Sequence, residues 1–109
     1  MGGETMKEET IKGQYITIEG ETRRTALKRF AHVWADVLKE NKIPVRAYDI
    51  HEAMTGIPEC FANDKRVTYE ADELTYYREG EGWRIFAQYV KDETKFHRFY
   101  TFIAKEGKL

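Results

Sequence analysis

Aromatic residues are concentrated in the C-terminal third of this chain, and their spacing limits the folds available to it. Nine of the fifteen aromatic residues fall between Leu74 and Ala104. They occur in three runs, and each run has the alternation that is typical of a β-strand. The pattern therefore predicts an antiparallel meander of three strands, with aromatic side chains on both faces of the sheet.

The register of this meander decides which aromatic residues are buried. A loop at 79–82 would set Arg78 opposite Trp83, and a second loop at 91–94 would set Val90 opposite Lys95. With these registers, one face carries most of the large apolar residues and is predicted to be the core. That face consists of Leu74, Tyr76, Trp83, Ile85, Ala87, Tyr89, Phe96, Tyr100 and Phe102, with Arg98 among them.

The opposite face of the predicted sheet is a candidate binding face because it combines aromatic residues with cations. Its main members are Tyr77, Arg84, Phe86, His97 and Phe99. Such residues stack unpaired bases and bind phosphates in single-strand binders. They are also favoured at the centres of protein interfaces. A third interpretation is that the N-terminal strand or a short helix covers this face, which would make it internal.

The N-terminal half predicts a long helix between two strands. Residues 14–19 alternate as a half-buried strand, and apolar residues at helical spacing predict a helix from Arg23 to about Asn41. Residues 43–48 predict an edge strand, because Pro44 lies within it. A short helix within 49–57 and a strand at 66–70 follow, and 71–73 form either a turn or a bulge. The expected fold class is α+β, with the order β-α-β-short α-β-β-β-β and a mostly antiparallel sheet.

The length of the chain predicts one domain. Its 109 residues are enough for a single hydrophobic core, which we place at residues 13–104. Residues 1–12 are charged, contain glycine and lack periodicity, so they predict a disordered lead. Residues 105–109 predict a frayed tail.

Cations occupy one flank of the predicted long helix. Arg23 and Arg24 lie in its first turn, where the helix dipole disfavours positive charge. Arg24, Lys28 and His32 then follow at intervals of four residues. These four residues form a candidate basic flank for phosphate or an acidic partner. The alternative is a solvated helix face that nearby carboxylates neutralise.

The sequence contains no motif for catalysis or for a cofactor. Cys60 has no histidine and orienting group placed to activate it, and the spacing of the histidines and the cysteine fits no zinc site. No glycine-rich loop opens a helix to cradle phosphate. We therefore expect no catalysis, no cofactor and no metal. Arg98, predicted to point into the core, is the one residue that favours a small-ligand pocket.

The net charge, the cysteine count and the length of the apolar runs limit the classes of function that we expect. The net charge of -1 gives no overall attraction to nucleic acid or to an anionic membrane. A single cysteine excludes an intramolecular disulfide, and no apolar run approaches the roughly 18 residues of a membrane span. We expect a cytoplasmic binding or regulatory domain that acts on a protein partner or associates with itself. A module for single-stranded nucleic acid is the alternative, and a small-ligand pocket is the third hypothesis.

Overall fold

The computed structural model describes residues 8–70, 73–90 and 95–107, which adopt an α+β fold. Four antiparallel strands form one sheet: β1 (Glu8–Glu19), β2 (Thr75–Gly80), β3 (Trp83–Val90) and β4 (Phe96–Gly107). Two helices, α1 (Arg23–Glu40) and α2 (Ala47–Thr55), and a 3-10 turn at Glu59–Phe61 lie between β1 and β2. The strand order is β1-β4-β3-β2, so β1 and β2 form the edges.

The hairpin between β2 and β3 has a shorter loop than predicted. Gly80 pairs with Trp83, so only Glu81 and Gly82 form the loop. Gly82 has φ 79°, a left-handed conformation that glycine adopts without steric cost. The pairing differs from the predicted register by two positions. Because side chains alternate along a strand, an even shift leaves both strands with the faces that the sequence predicted.

The register of β4 differs from the prediction by an odd number of residues, and this reverses its two faces. Val90 pairs with Arg98 instead of Lys95. The first residues of β4 pair with β1, where Phe96 lies opposite Glu19, and not with β3. The predicted register was wrong because it began the β3 ladder at the start of β4. Every residue of β4 therefore points to the side opposite to the one predicted.

The hydrophobic core lies between α1 and the inner face of the sheet. Phe30 of α1 stacks on Phe99 of β4, with ring centroids 4.0 Å apart and 7° between the ring planes. Trp34 contacts Tyr76 edge-on at 6.4 Å. All four side chains are buried. The helical spacing of apolar residues is thus explained by one buried stripe, formed by Ala26, Leu27, Phe30, Ala31, Trp34 and Leu38.

Two of the predicted strands are irregular segments. Residues 43–46 connect α1 to α2 without a ladder partner, and α2 already begins at Ala47. Residues 67–70 are likewise unpaired. At both places the sequence alternates because every second side chain is buried, as Ile43, Val45 and Tyr69 are. Such alternation does not require hydrogen bonds to a neighbouring strand. The order of elements in the described part of the chain is therefore β-α-α-β-β-β.

The sheet extends beyond the predicted domain limits at both ends. Glu8 pairs with Gly107, and the β1–β4 ladder continues to Glu19 and Phe96. Residues 8–12, predicted to be disordered, and 105–107, predicted to be frayed, are therefore strand residues. Pairing between distant strands orders them although neither segment has a periodic apolar pattern. The predicted disorder at 1–7, the chain end at 108–109 and the turn or bulge at 71–72 lie outside the described residues.

Candidate functional site

One face of the sheet is turned away from the helices, and no other element covers it in the described part of the chain. We term it the open face. It carries aromatic residues from all four strands beside two arginines: Tyr15, Tyr77, Arg84, Phe86, Phe96, Arg98, Tyr100 and Phe102. Tyr15, Tyr77 and Phe96 are 62%, 50% and 44% exposed, and the other three rings are half-buried. The aromatic face is thus accessible to a partner.

Four of these rings form a continuous row across three strands. Tyr15 meets Tyr100 at 5.3 Å, Tyr100 meets Phe86 at 6.4 Å, and Phe86 stacks on Phe102 at 5.6 Å. Gly13 makes room for the row, because a Cβ atom there would lie 2.9 Å from the hydroxyl oxygen of Tyr100. Rings that support one another in this way form a rigid surface that loses little entropy on binding.

The two arginines of the open face differ in what they contact. Arg84 donates two hydrogen bonds to the Glu9 carboxylate, at 2.6 and 3.0 Å. This pairing raises the pKa of Arg84 and lowers the pKa of Glu9. Arg98 lies over the ring of Tyr15 at 5.1 Å and has no carboxylate partner among the described residues. Arg98 is therefore the cation available to a ligand.

Carboxylates outnumber guanidinium groups on this side of the sheet. The strand positions that share the open face include Glu9, Glu19, Glu79 and Glu106. Tyr77 donates a hydrogen bond to Glu79 at 2.7 Å, and this bond raises the pKa of Tyr77. Lys95 adds a third cation at the rim, where its ammonium lies 3.7 Å from Glu19 and 6.0 Å from the ring centroid of Phe96. The open face is therefore aromatic at its centre, and its rim carries more carboxylates than cations, which does not attract a polyanion.

The structure brings together only part of the predicted binding face. Tyr77, Arg84 and Phe86 lie on the open face, whereas His97 and Phe99 point toward the helices and are buried. Their places are taken by Tyr15, Tyr100 and Phe102. Alternation in β1 places Tyr15 on the other face of the strand from the apolar residues at 16 and 18, so the sequence alone could have predicted the position of this ring. Tyr100 and Phe102 required the register of β4.

Arg98 also differs from its predicted place. It was predicted to point into the core among aromatic residues, where it favoured a ligand pocket. The reversed register of β4 puts it on the open face, where its side chain is exposed. A charged group at the surface needs no buried partner, so the reason for the small-ligand hypothesis is lost.

The predicted basic flank of α1 is occupied by contacts within the fold. Arg24 donates hydrogen bonds to the backbone carbonyls of Ala62, Asp64 and Val67 and lies 4.8 Å over the ring of Tyr69. These contacts hold the segment 59–70, termed the clamped segment, against α1. They explain why a cation lies in the first helical turn, where the dipole disfavours it.

Two other members of that flank contribute to the same attachment. Arg23 donates a hydrogen bond to the Tyr69 carbonyl oxygen at 2.7 Å and lies 5.0 Å over the ring of Tyr89. The His32 imidazole lies 2.7 Å from the Glu59 carboxylate. Lys28 lies between them on the same helix. Arg23, Arg24 and His32 thus make contacts within the fold, which differ from both the predicted ligand site and the alternative of a solvated face neutralised by carboxylates.

The two buried histidines are committed to structural hydrogen bonds. His51 donates through Nδ1 to the Ile57 carbonyl oxygen at 2.8 Å and accepts through Nε2 from the Tyr69 hydroxyl at 2.9 Å. His97 contacts the Gly20 carbonyl oxygen through Nε2 at 3.0 Å and the Tyr89 hydroxyl through Nδ1 at 2.7 Å. Neither imidazole has a nitrogen left for the thiol of Cys60, which is exposed.

Burial of His51 predicts a pH-dependent stability. Burial is the main cause that lowers the pKa of His51 below its ordinary value of 6.5. The unfolded chain takes up this proton near pH 6.5, whereas the folded chain takes it up only at lower pH. The free energy of unfolding should therefore fall as the pH drops below 6.5, by at most about 1.4 kcal/mol per pH unit.

Urea denaturation between pH 8 and pH 5 measures this slope. His51→Gln should flatten it, because glutamine does not titrate. His32→Gln, which removes an exposed histidine, should retain it. An equal slope in the His51→Gln variant would contradict the assignment to His51.

The described residues show no metal site and no membrane helix. They contain no group of three or more histidine, cysteine, aspartate or glutamate side chains placed to hold a metal ion. No helix in this part of the chain has the length and apolar character needed to cross a membrane. Comparison with protein-family models, with curated proteins and with solved structures finds no match for the chain. The open face is thus the feature of the molecule that indicates a function.

Proposed function

We propose that this chain is a non-catalytic binding domain that attaches to a protein partner through the open face. The observation that carries the proposal is the row of aromatic rings on a sheet face that no described element covers. Contiguous exposed apolar patches mark interaction sites, whereas single exposed apolar residues are ordinary. Aromatic residues and arginine are also the residues that contribute most of the affinity at protein interfaces.

The charges of the open face favour a particular chemistry in the partner. Arg84 is neutralised by Glu9, while Arg98 is available for one carboxylate. Glu79, which has no ion pair in the described part of the chain, favours a cation at the rim of the partner. The expected ligand is a protein segment with an apolar centre, one acidic group and one basic group at its edge.

Single-stranded nucleic acid is a second candidate, and the aromatic row is the observation that favours it. Rings on a sheet face can stack bases at about 1–3 kcal/mol each. The charges oppose this candidate, because phosphates would meet four glutamates and three cations, two of which, Arg84 and Lys95, are already paired with glutamates. We therefore rank it below a protein partner.

A peptide-display library selected on the wild-type protein tests the main proposal. Phe86→Ala, at the centre of the row, is expected to weaken the selected peptides at least about tenfold, as the loss of a hot-spot ring does. Phe61→Ala is the matched control, since Phe61 is 55% exposed but lies on the 3-10 turn. Fluorescence anisotropy with labelled peptides measures both. Equal affinity for the wild type and the Phe86→Ala variant would refute the site.

Labelled oligothymidine in the same assay separates the two candidates. We expect no binding at low salt. Affinity that falls steeply with salt and is lost in Phe86→Ala would replace the protein partner with single-stranded nucleic acid.

A further inference from the structure

We propose that the free edge of β1 pairs with β1 of a second copy of this chain. The two strands would run antiparallel about a two-fold axis at Gly13 and join the two sheets into one sheet of eight strands. This inference concerns the edge of the sheet and does not depend on the ligand of the open face.

The two edges of the sheet differ in how well they are protected. β2 has six residues, and Arg78, Glu79 and Gly80 end it, so it is a short and polar edge. β1 has twelve residues and no proline, and in the described part of the chain only β4 pairs with it. Natural proteins shorten, charge or bend the edges that must stay free. Along its centre, β1 has no proline, and Lys12 is its single charged residue between Glu9 and Glu19.

Exposed apolar side chains mark the same edge. Ile11 is 58% exposed and Tyr15 has a similar exposure. Both project to the open face, and they lie two residues on either side of Gly13. A two-fold axis at Gly13 sets Ile11 of each copy opposite Tyr15 of the other. Cross-strand pairs of an aromatic and a β-branched residue stabilise a sheet.

Charge distinguishes this register from its neighbours. A two-fold axis perpendicular to the sheet keeps the open faces of both copies on one side and must lie midway between a residue of β1 and the same residue of the second copy. At Lys12 it would set two lysines against each other, and at Gln14 it would set Glu9 against Glu19. At Gly13, Lys12 lies opposite Gln14, and no like charges meet between Glu9 and Thr17. Axes at Ile11 or Tyr15 shorten the paired segment.

Pairing at Gly13 would also double the open face. Because the axis is perpendicular to the sheet, both aromatic rows would lie on the same side of the eight-stranded sheet. Tyr15 of one copy would then lie beside Ile11 of the other, so that the two aromatic rows form one continuous apolar surface. A ligand with two binding segments would engage both copies at once.

Disulfide trapping tests the register. In a Cys60→Ser background, Ile11→Cys and Tyr15→Cys are made as two separate proteins. Mixing them should give an 11–15 disulfide, because opposite Cα atoms lie within the roughly 7 Å that a disulfide spans. Each protein alone should give none, since its two cysteines would be about 13 Å apart, four residues along the strand. Mass spectrometry identifies the linked peptide. Cross-linking of either protein alone, or none in the mixture, would overturn the register.

Sedimentation equilibrium tests the association itself. The wild-type mass should rise from 12.9 kDa toward about twice that value as the concentration approaches about 1 mM. Ile11→Lys should raise the dissociation constant at least about tenfold, while Phe61→Lys should leave it unchanged. A strict monomer throughout would overturn the proposal. So would a dimer that Phe86→Ala abolishes and Ile11→Lys does not, because that contact would lie on the open face.

Discussion

Replacing Phe99 with alanine is expected to lower the free energy of unfolding by about 3–5 kcal/mol. Phe99 is fully buried, stacks on Phe30 at 4.0 Å and meets the edge of Tyr89 at 5.2 Å. Its removal leaves a cavity at the centre of the interface between α1 and the sheet. Urea denaturation followed by tryptophan fluorescence measures the change.

Phe102→Ala is the matched control for this prediction. Phe102 lies three residues further along β4 on the open face and is half-buried, so its loss should cost only about 1 kcal/mol. If Phe99→Ala unfolds the protein, the milder Phe99→Leu should still fold, at a cost of about 1–2 kcal/mol. The reverse ranking of positions 99 and 102 would contradict the observed register and support the one that the sequence predicted.

Arg24→Met is expected to open the clamped segment without unfolding the sheet. The substitution keeps much of the aliphatic length but removes the donors to three backbone carbonyls and the contact with Tyr69. Hydrogen bonds from a charged donor contribute about 1.5–3 kcal/mol each and do not add fully, so we expect a local loss of about 2–4 kcal/mol. Amide hydrogen exchange in peptides from 59–70 should accelerate by about 30- to 900-fold.

Arg29→Met serves as the control for the clamp. Arg29 lies on the same helix and is exposed, with one hydrogen bond to the Glu19 carbonyl oxygen at 3.0 Å. This variant should leave exchange in the clamped segment unchanged. Equal acceleration in both variants, or acceleration spread evenly over β3 and β4, would show that Arg24 does not hold this segment.

The sequence correctly predicted the elements whose pattern lies within one segment of the chain. The predictions were wrong where the position of a strand depends on its pairing with a strand that is distant in the sequence. Helical spacing located α1, because its apolar stripe lies within one segment. The faces of β2 and β3 were correct although the loop length was wrong, since the error was an even number of residues. Segments 43–48 and 66–70 were mistaken for strands because alternation reports burial and says nothing about a neighbouring strand.

The same limit applies to the candidate site, whose residues on β2 and β3 were predicted correctly and whose residues on β4 were not. Tyr77, Arg84 and Phe86 lie on β2 and β3, whose faces follow from the hairpin alone. His97 and Phe99 were misplaced with the rest of β4, because its register depends on β1 as well as on β3. Nothing in the local sequence of β4 separates its two faces, since aromatic residues occur on both. The missing information was thus the register of β4, which is central in the sheet although it is the last strand in the sequence.

The pairing of the first strand with the last has a consequence for how the chain folds. Glu19 pairs with Phe96 and Glu8 with Gly107, so β1 has no partner in its own sheet until β4 has been synthesised. The helices and the β2–β3 hairpin form from local contacts, whereas closing the sheet requires a long loop to be ordered first. A nascent chain therefore holds β1 unpaired for most of its synthesis. Assembly of the sheet becomes the slow and final event.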